Sequence, residues 1–177
     1  MDVVILCGGR GTRLGEETGL LPKPLVRVGG MPILWHIMSI YSHYGFNRFI
    51  LALGYKSDYI KEYFFNYRNT ISDFSIKLDP KLDPVYFNYP KDKNWEIICA
   101  DTGLETLKGG RIKRVEKYIQ SDSFHLTYGD GVSDLSIDSL KKFHNSHTSI
   151  ATVTAVHPPS RFGEMQIVDN TCLLYTS

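Results

Sequence analysis

The chain lacks most of the features that announce a specialised class of protein. Only three of its 177 residues are cysteine, Cys7, Cys99 and Cys172, and their spacing matches neither a zinc pattern nor a disulfide framework. A reduced, cytoplasmic setting is the expectation. No apolar run approaches the roughly 20 residues of a membrane span. The N-terminus has no basic stretch followed by an apolar segment and a small-residue cleavage site. Neither a membrane nor export is therefore expected. Charge of one sign is missing too: 20 Lys and Arg stand against 19 Asp and Glu, a formal net charge of +1. No global basic field points to nucleic acid, so local clusters must carry any case for an anionic ligand. The six histidines show no metal spacing. No Ser-His-Asp or Cys-His arrangement stands out, and there is no internal repeat.

What is present is an alternation of short apolar runs and helical patterns. Val3 to Leu6 reads as a buried parallel strand ending at Gly8-Gly9. Pro32 opens a helical stretch closed by Gly45, with Ile33, Leu34, Ile37, Met38, Tyr41 and Tyr44 at helical spacing. Phe49 to Leu53 predicts a second strand and Lys56 to Tyr67 a second helix. Residues 70 to 100 are less regular and read as loop with short strands. A helix is expected over Arg111 to Gln120, a strand over Phe124 to Tyr128, a helix over Ile137 to His144, and a strand over Ile150 to Val156. Strand, helix, strand, helix at the start implies a mostly parallel α/β sheet.

The sharpest local feature is GGRGTRL, directly after the first strand. Glycine lets backbone N–H groups approach an anion without a Cβ in the way. Three familiar phosphate loops do not fit. A dinucleotide fingerprint would need a third glycine where Leu14 stands, and an acidic residue near the end of the second strand, where Leu53-Gly54-Tyr55 lies. The lysine–Ser/Thr pair of a P-loop is absent. The kinase glycine loop fails at Leu14 as well. What remains is the glycine turn with Arg10 and Arg13, and then Lys23 held between Pro22 and Pro24. A restrained ammonium beside such a turn suits a charged phosphate. Asp130, in Tyr128-Gly129-Asp130-Gly131, follows the Phe124 to Tyr128 strand. Ligands in such sheets bind beyond the carboxyl ends of the strands, and Mg²⁺ commonly takes one or two carboxylates with phosphates and water completing its shell.

GGRGTRL with EET, PKP and GGMPILWHIM, supported by GYKSDYIKEYF, GGRIKRV, TYGDGVSDL and PPSRFG, resembles the sugar-phosphate nucleotidyltransferases, and within them the glucose-1-phosphate cytidylyltransferases. The resemblance runs from residue 1 to about 170. It implies a Rossmann-like, mostly parallel mixed sheet flanked by helices, of the nucleotide-diphospho-sugar transferase type. It also implies transfer of a cytidylyl group from CTP to α-D-glucose 1-phosphate with release of pyrophosphate. Alternatives are UTP- or dTTP-dependent transfer, or a non-catalytic nucleotide-sensing module of the same fold. By resemblance, Leu6, Cys7, Gly8, Gly9, Arg10, Gly11, Thr12, Arg13, Lys23, Thr106, Arg111 and Gly129 would bind the nucleotide. Arg13 and Lys23 would be catalytic, Asp130 would hold Mg²⁺, and the full-length protein would be a homo-oligomer.

The family domain extends beyond this chain's last residue, so residues 1–171 are read as the N-terminal two-thirds of a domain that is incomplete at its C-terminus. The closing CLLYTS, residues 172–177, departs from the family pattern and is expected to be a non-native tail. The 177-residue chain alone is expected to be nearly inactive.

Overall fold

Residues 2–7, DVVILC, show no alternation of apolar and polar side chains, as expected of a strand covered on both faces. They form β1 (Asp2–Cys7). A single 3₁₀ turn follows at Lys23–Leu25. Then come a short antiparallel pair, β2 (Arg27–Val28) and β3 (Met31–Pro32), and helix α1 (Ile33–His43). Pro32 precedes the first helical turn. Gly45, just past the helix end, sits at φ 83°, where a side chain would be strained. The computed structural model describes residues 1–10, 21–79, 81–88, 93–156, 164–168 and 171–175, the last two stretches as backbone.

β4 (Arg48–Leu53) leads into α2 (Ser57–Phe65) and α3 (Tyr67–Ile71), so the helix predicted over 56–67 is split at Asn66. Asn66 accepts a side-chain hydrogen bond from Asn69 at 3.4 Å, and such local bonding makes asparagine a poor helix-interior residue. A small antiparallel hairpin, β5 (Asp73–Ser75) and β6 (Val85–Phe87), precedes β7 (Glu96–Asp101). The helix expected from Arg111 begins earlier, as α4 (Lys108–Val115), and runs into a 3₁₀ turn at Glu116–Tyr118. β8 (Phe124–Tyr128) is the strand predicted there.

The central sheet has the order β7-β4-β1-β8, and all three pairings are parallel. The α/β expectation therefore holds. One face of the sheet presents Val4, Ile50, Ala52 and Ala100, which cluster with Val115 of α4. The other face presents Val3, Ile5, Phe49, Leu51 and Leu53, all without exposed surface. Ring contacts run from Phe49 through Trp95 to Trp35, which brings α1 over that face. Each such fully buried side chain contributes on the order of 2 kcal/mol.

Residues 136–177 form a second compact unit, with α5 (Ile137–Asn145) and an antiparallel pair, β9 (Glu164–Val168) and β10 (Thr171–Tyr175). Ser136 caps α5 by accepting the Ser139 amide at 3.3 Å. The strand predicted over Ile150 to Val156 does not form. A strand exists only through a neighbour that completes its ladder. Here Thr152 instead bonds the rings of His144 and His147 at 2.9 Å, and Ile150, Val153 and Val156 are exposed. Residues 172–175 of the expected tail lie within β10.

At the amino-terminal edge of the sheet, the buried Asp2 carboxylate accepts from Arg48 at 2.8 Å, from the Gln120 amide at 2.7 Å and from Ser121. Burial alone would raise its pKa. The Arg48, Gln120 and Ser121 bonds outweigh that and leave it lowered. A carboxylate held below its unfolded value, roughly 3.9, stabilises the fold fully above that pH and less as pH falls through the lower folded value. We therefore expect Asp2→Asn to be less stable than wild type at pH 7 by about 2 kcal/mol. The gap should close as urea titrations move below about pH 4.

Candidate active site

Four parallel strands deliver four loops to one edge. β1 ends in Gly8, β4 in Gly54, β7 in Thr102-Gly103, and β8 in Gly129-Asp130. The loops are stitched together through the backbone: Gly129 N donates to Leu6 O at 3.0 Å, Tyr55 N to Gly8 O at 3.3 Å, and Thr102 N to Leu53 O at 2.9 Å.

The Pro-Lys-Pro segment meets the β8 loop here. Pro22 and Pro24 are buried, and Leu25 N donates to Pro22 O at 2.8 Å, closing the tight turn that carries Lys23. A Cβ at Gly129 would lie 2.7 Å from Cys7 Sγ, 3.1 Å from Pro24 Cγ and 3.3 Å from Leu6 O. Only glycine permits this approach. The contact brings Lys23 Nζ to 3.5 Å from Asp130 Oδ2, with the lysine side chain 16% exposed and the aspartate 40%. Gly129→Ala should therefore displace Asp130 and Pro24 together, at a cost of about 1–3 kcal/mol. Thermal melts and the activity assay below would show both losses.

Arg111 sits deeper, 6% exposed. Its Nη1 donates to Leu53 O (2.9 Å), Thr102 Oγ1 (2.7 Å) and Gly103 O (2.8 Å), and its Nη2 to Gly8 O (3.1 Å) and Leu104 O (3.1 Å). One guanidinium thus ties the ends of β1, β4 and β7. A Cβ at Gly8 or Gly54 would fall 2.2 or 2.3 Å from that group, so both glycines make room for it. Burial, then the charge of Arg114, lowers the Arg111 pKa, while Asp101 and Glu105 oppose the shift. Arg10 is exposed and paired with Glu105 of the β7 loop. Cys7 is buried beneath Gly129, and burial first, then the Cys99 and Asp130 charges, pushes its thiol far up. It packs the loop and offers no thiolate nucleophile.

The structure thus brings together Leu6, Cys7, Gly8, Lys23, Arg111, Gly129 and Asp130, while Thr106 stands in the adjoining β7 loop. Gly9 and Arg10 continue from Gly8. Gly11, Thr12 and Arg13 lie outside the described residues, and so do the last two residues of the expected tail. Sequence reading missed two residues on this edge. Lys108 Nζ stands 5.4 Å from the centre of the Tyr128 ring, and Arg114 holds Thr106. Both flank the GGR triplet that had drawn attention to Arg111.

Among the described residues no group of three His, Cys, Asp or Glu side chains could enclose a metal. Asp130 is exposed and, among the described residues, engages only Lys23 in a salt bridge, which fits a Mg²⁺ whose shell is completed by phosphates and water.

The MobA-like NTP transferase domain matches residues 3–74. The glucose-1-phosphate cytidylyltransferase of Salmonella typhimurium is 47% identical over 168 residues, 94% of this chain and 65% of that protein. The chain is a homologue of the glucose-1-phosphate cytidylyltransferases. It spans 65% of the length of these curated relatives. The "Probable glucose-1-phosphate cytidylyltransferase" of Bacillus subtilis is 44% identical over 169 residues, 96% of this chain. Among solved structures, HddC from Yersinia pseudotuberculosis complexed with GMP-PN is similar at 30% identity and TM-score 0.59, over 96% of this chain and 65% of that one. UTP-bound UGPase from Acinetobacter baumannii shares the fold, with TM-score 0.59 at 18% identity over 82% of this chain and 52% of that one. No described helix is long and apolar enough to cross a membrane.

Proposed function

We propose that the protein transfers a cytidylyl group from CTP to α-D-glucose 1-phosphate, releasing pyrophosphate. The observation that carries this reading is the approach of Lys23 to Asp130 beyond the strand ends, in a chain 47% identical to a protein named for that reaction. The sugar-phosphate oxygen attacks the α-phosphorus in line, and the bond to the β-phosphate oxygen breaks. A phosphate monoester has its second pKa near 6 and is already ionised, so the protein need supply neither base nor covalent nucleophile. The protonated, buried Cys7 agrees with that.

The difficulty is charge, because two polyanions must meet. The Gly8 and Gly9 amides face the triphosphate, and Lys23 supplies a fixed positive charge beside it. Mg²⁺, held by Asp130, would neutralise phosphate charge. Arg13, by resemblance, holds the departing pyrophosphate with its planar fork. Arg111 keeps the Gly8 carbonyl, and with it the turn, in place from beneath. Thr106 faces the nucleoside.

The test is an assay of the intact protein with Mg²⁺, glucose 1-phosphate and each of CTP, UTP, dTTP and GTP, following pyrophosphate. Release with CTP in strong preference is expected. Release only with UTP or dTTP would move the reading to the other base. Binding of triphosphate without release would make the chain a sensor.

A further inference from the structure

On the function proposed above, Thr106 of the β7 loop meets the nucleoside, and its side chain is fixed from three directions. A Cβ at Gly103 would come 2.9 Å from Thr106 Oγ1, and one at Gly110 would come 2.9 Å from Thr106 Cγ2. Two glycines therefore shape the space around both branches of the threonine. The third constraint is Arg114, one helical turn beyond Arg111 on α4. Its Nη1 donates to Thr106 Oγ1 at 2.7 Å and to Thr102 O at 2.6 Å. Gly103, at φ 85°, admits that guanidinium: a Cβ there would lie 2.6 Å from Arg114 Nη1.

The consequence is a polarity. A threonine hydroxyl has one proton to give and two lone pairs to receive. Guanidinium only donates. With Arg114 occupying a lone pair, the hydroxyl cannot turn its proton toward α4, and that proton is directed outward. We infer that Arg114 is a positioning and specificity residue: it sets Thr106 as a hydrogen-bond donor toward the nucleoside. Such a donor discriminates between the pyrimidines where it meets ring position 3, since the O2 carbonyl is common to both: cytosine N3 accepts, whereas uracil carries a hydrogen there. The same hydroxyl left free to rotate would serve either base.

This rests on the reading that the nucleotide is CTP and that Thr106 faces it, and the experiment separates the two. The kcat/KM ratio for CTP over UTP is measured in the intact protein for wild type, Thr106→Val, Arg114→Gln and the double variant. The ratio should fall about tenfold in each single variant. In the Thr106→Val background, Arg114→Gln should change it less than about twofold, because the arginine acts through the hydroxyl. If Arg114→Gln does not fold, Arg114→Lys replaces it. Its single ammonium serves the two acceptors less well, and a fall of about threefold is expected. Equal losses for both nucleotides on changing Arg114, or an unreduced effect in the Thr106→Val background, would leave Arg114 a purely structural residue. A wild-type protein without CTP preference, or an unchanged ratio in Thr106→Val, would instead overturn the underlying reading and the inference with it.

Discussion

Lys23→Ala lowers kcat/KM for CTP by about 100-fold or more, with far-UV circular dichroism unchanged. The size follows from where the charge sits. Lys23 is held in a tight turn between two buried prolines, and little of its side chain reaches water. A charge about 4 Å from a phosphate at an effective dielectric near 20 is worth roughly 4 kcal/mol, and about two-thirds of that accounts for a 100-fold loss. Truncation also leaves Asp130 without its 3.5 Å partner, facing an incoming polyanion, so a new repulsion adds to the lost attraction. The fold should survive because the turn is closed by backbone bonds and by the prolines, not by the ammonium. Asp130→Asn in the same assay separates the two roles. It should abolish the response to Mg²⁺ while leaving Mg-free CTP binding intact or tighter, whereas Lys23→Ala weakens that binding. A loss below about tenfold in Lys23→Ala would remove the lysine from the reacting phosphates.

Arg111→Met lowers the melting temperature by about 10 °C. Methionine fills much of the same volume and makes none of the five hydrogen bonds, so each acceptor at three strand ends loses a charged donor. Removing one partner from a buried charged network costs on the order of 3–5 kcal/mol. For a chain of this size each kcal/mol is worth roughly 2–4 °C. Arg111→Lys should recover only part of the loss, since a point donor cannot serve acceptors spread across a planar fork. Thermal melts of both variants check this. A change under about 3 °C in Arg111→Met would mean that water replaces the guanidinium.

The opening βαβ pattern, the Gly45 helix stop and the Gly-Asp-Gly strand end were legible because each is written locally, in hydrophobic period and in residues whose backbone preferences are narrow. The strand Glu96–Asp101 was less so. Its side chains are only half-buried, and it lies at an edge of the sheet beside an irregular stretch. Ile150 to Val156 has the right composition for a strand and forms none, since composition does not supply a pairing partner. The sequence also pointed to Lys23, Arg111 and Asp130 as chemistry-bearing residues, but it could not say how they relate.

Lys23 and Asp130 are 107 positions apart by number, and their approach depends on β8 pairing with β1 and on Pro24 pressing against Gly129. Arg111 reads in the sequence as a cation for a ligand. Only the fold shows that its Nη1 and Nη2 donate to four backbone carbonyls and to Thr102 Oγ1, and that Gly8 and Gly54 lack side chains to admit it. Local patterning thus determined the elements and the kinds of residue at their ends. Tertiary packing decided which of those residues meet, because a hydrogen bond across three parallel strands depends on register and distance, and neither is encoded within any one segment.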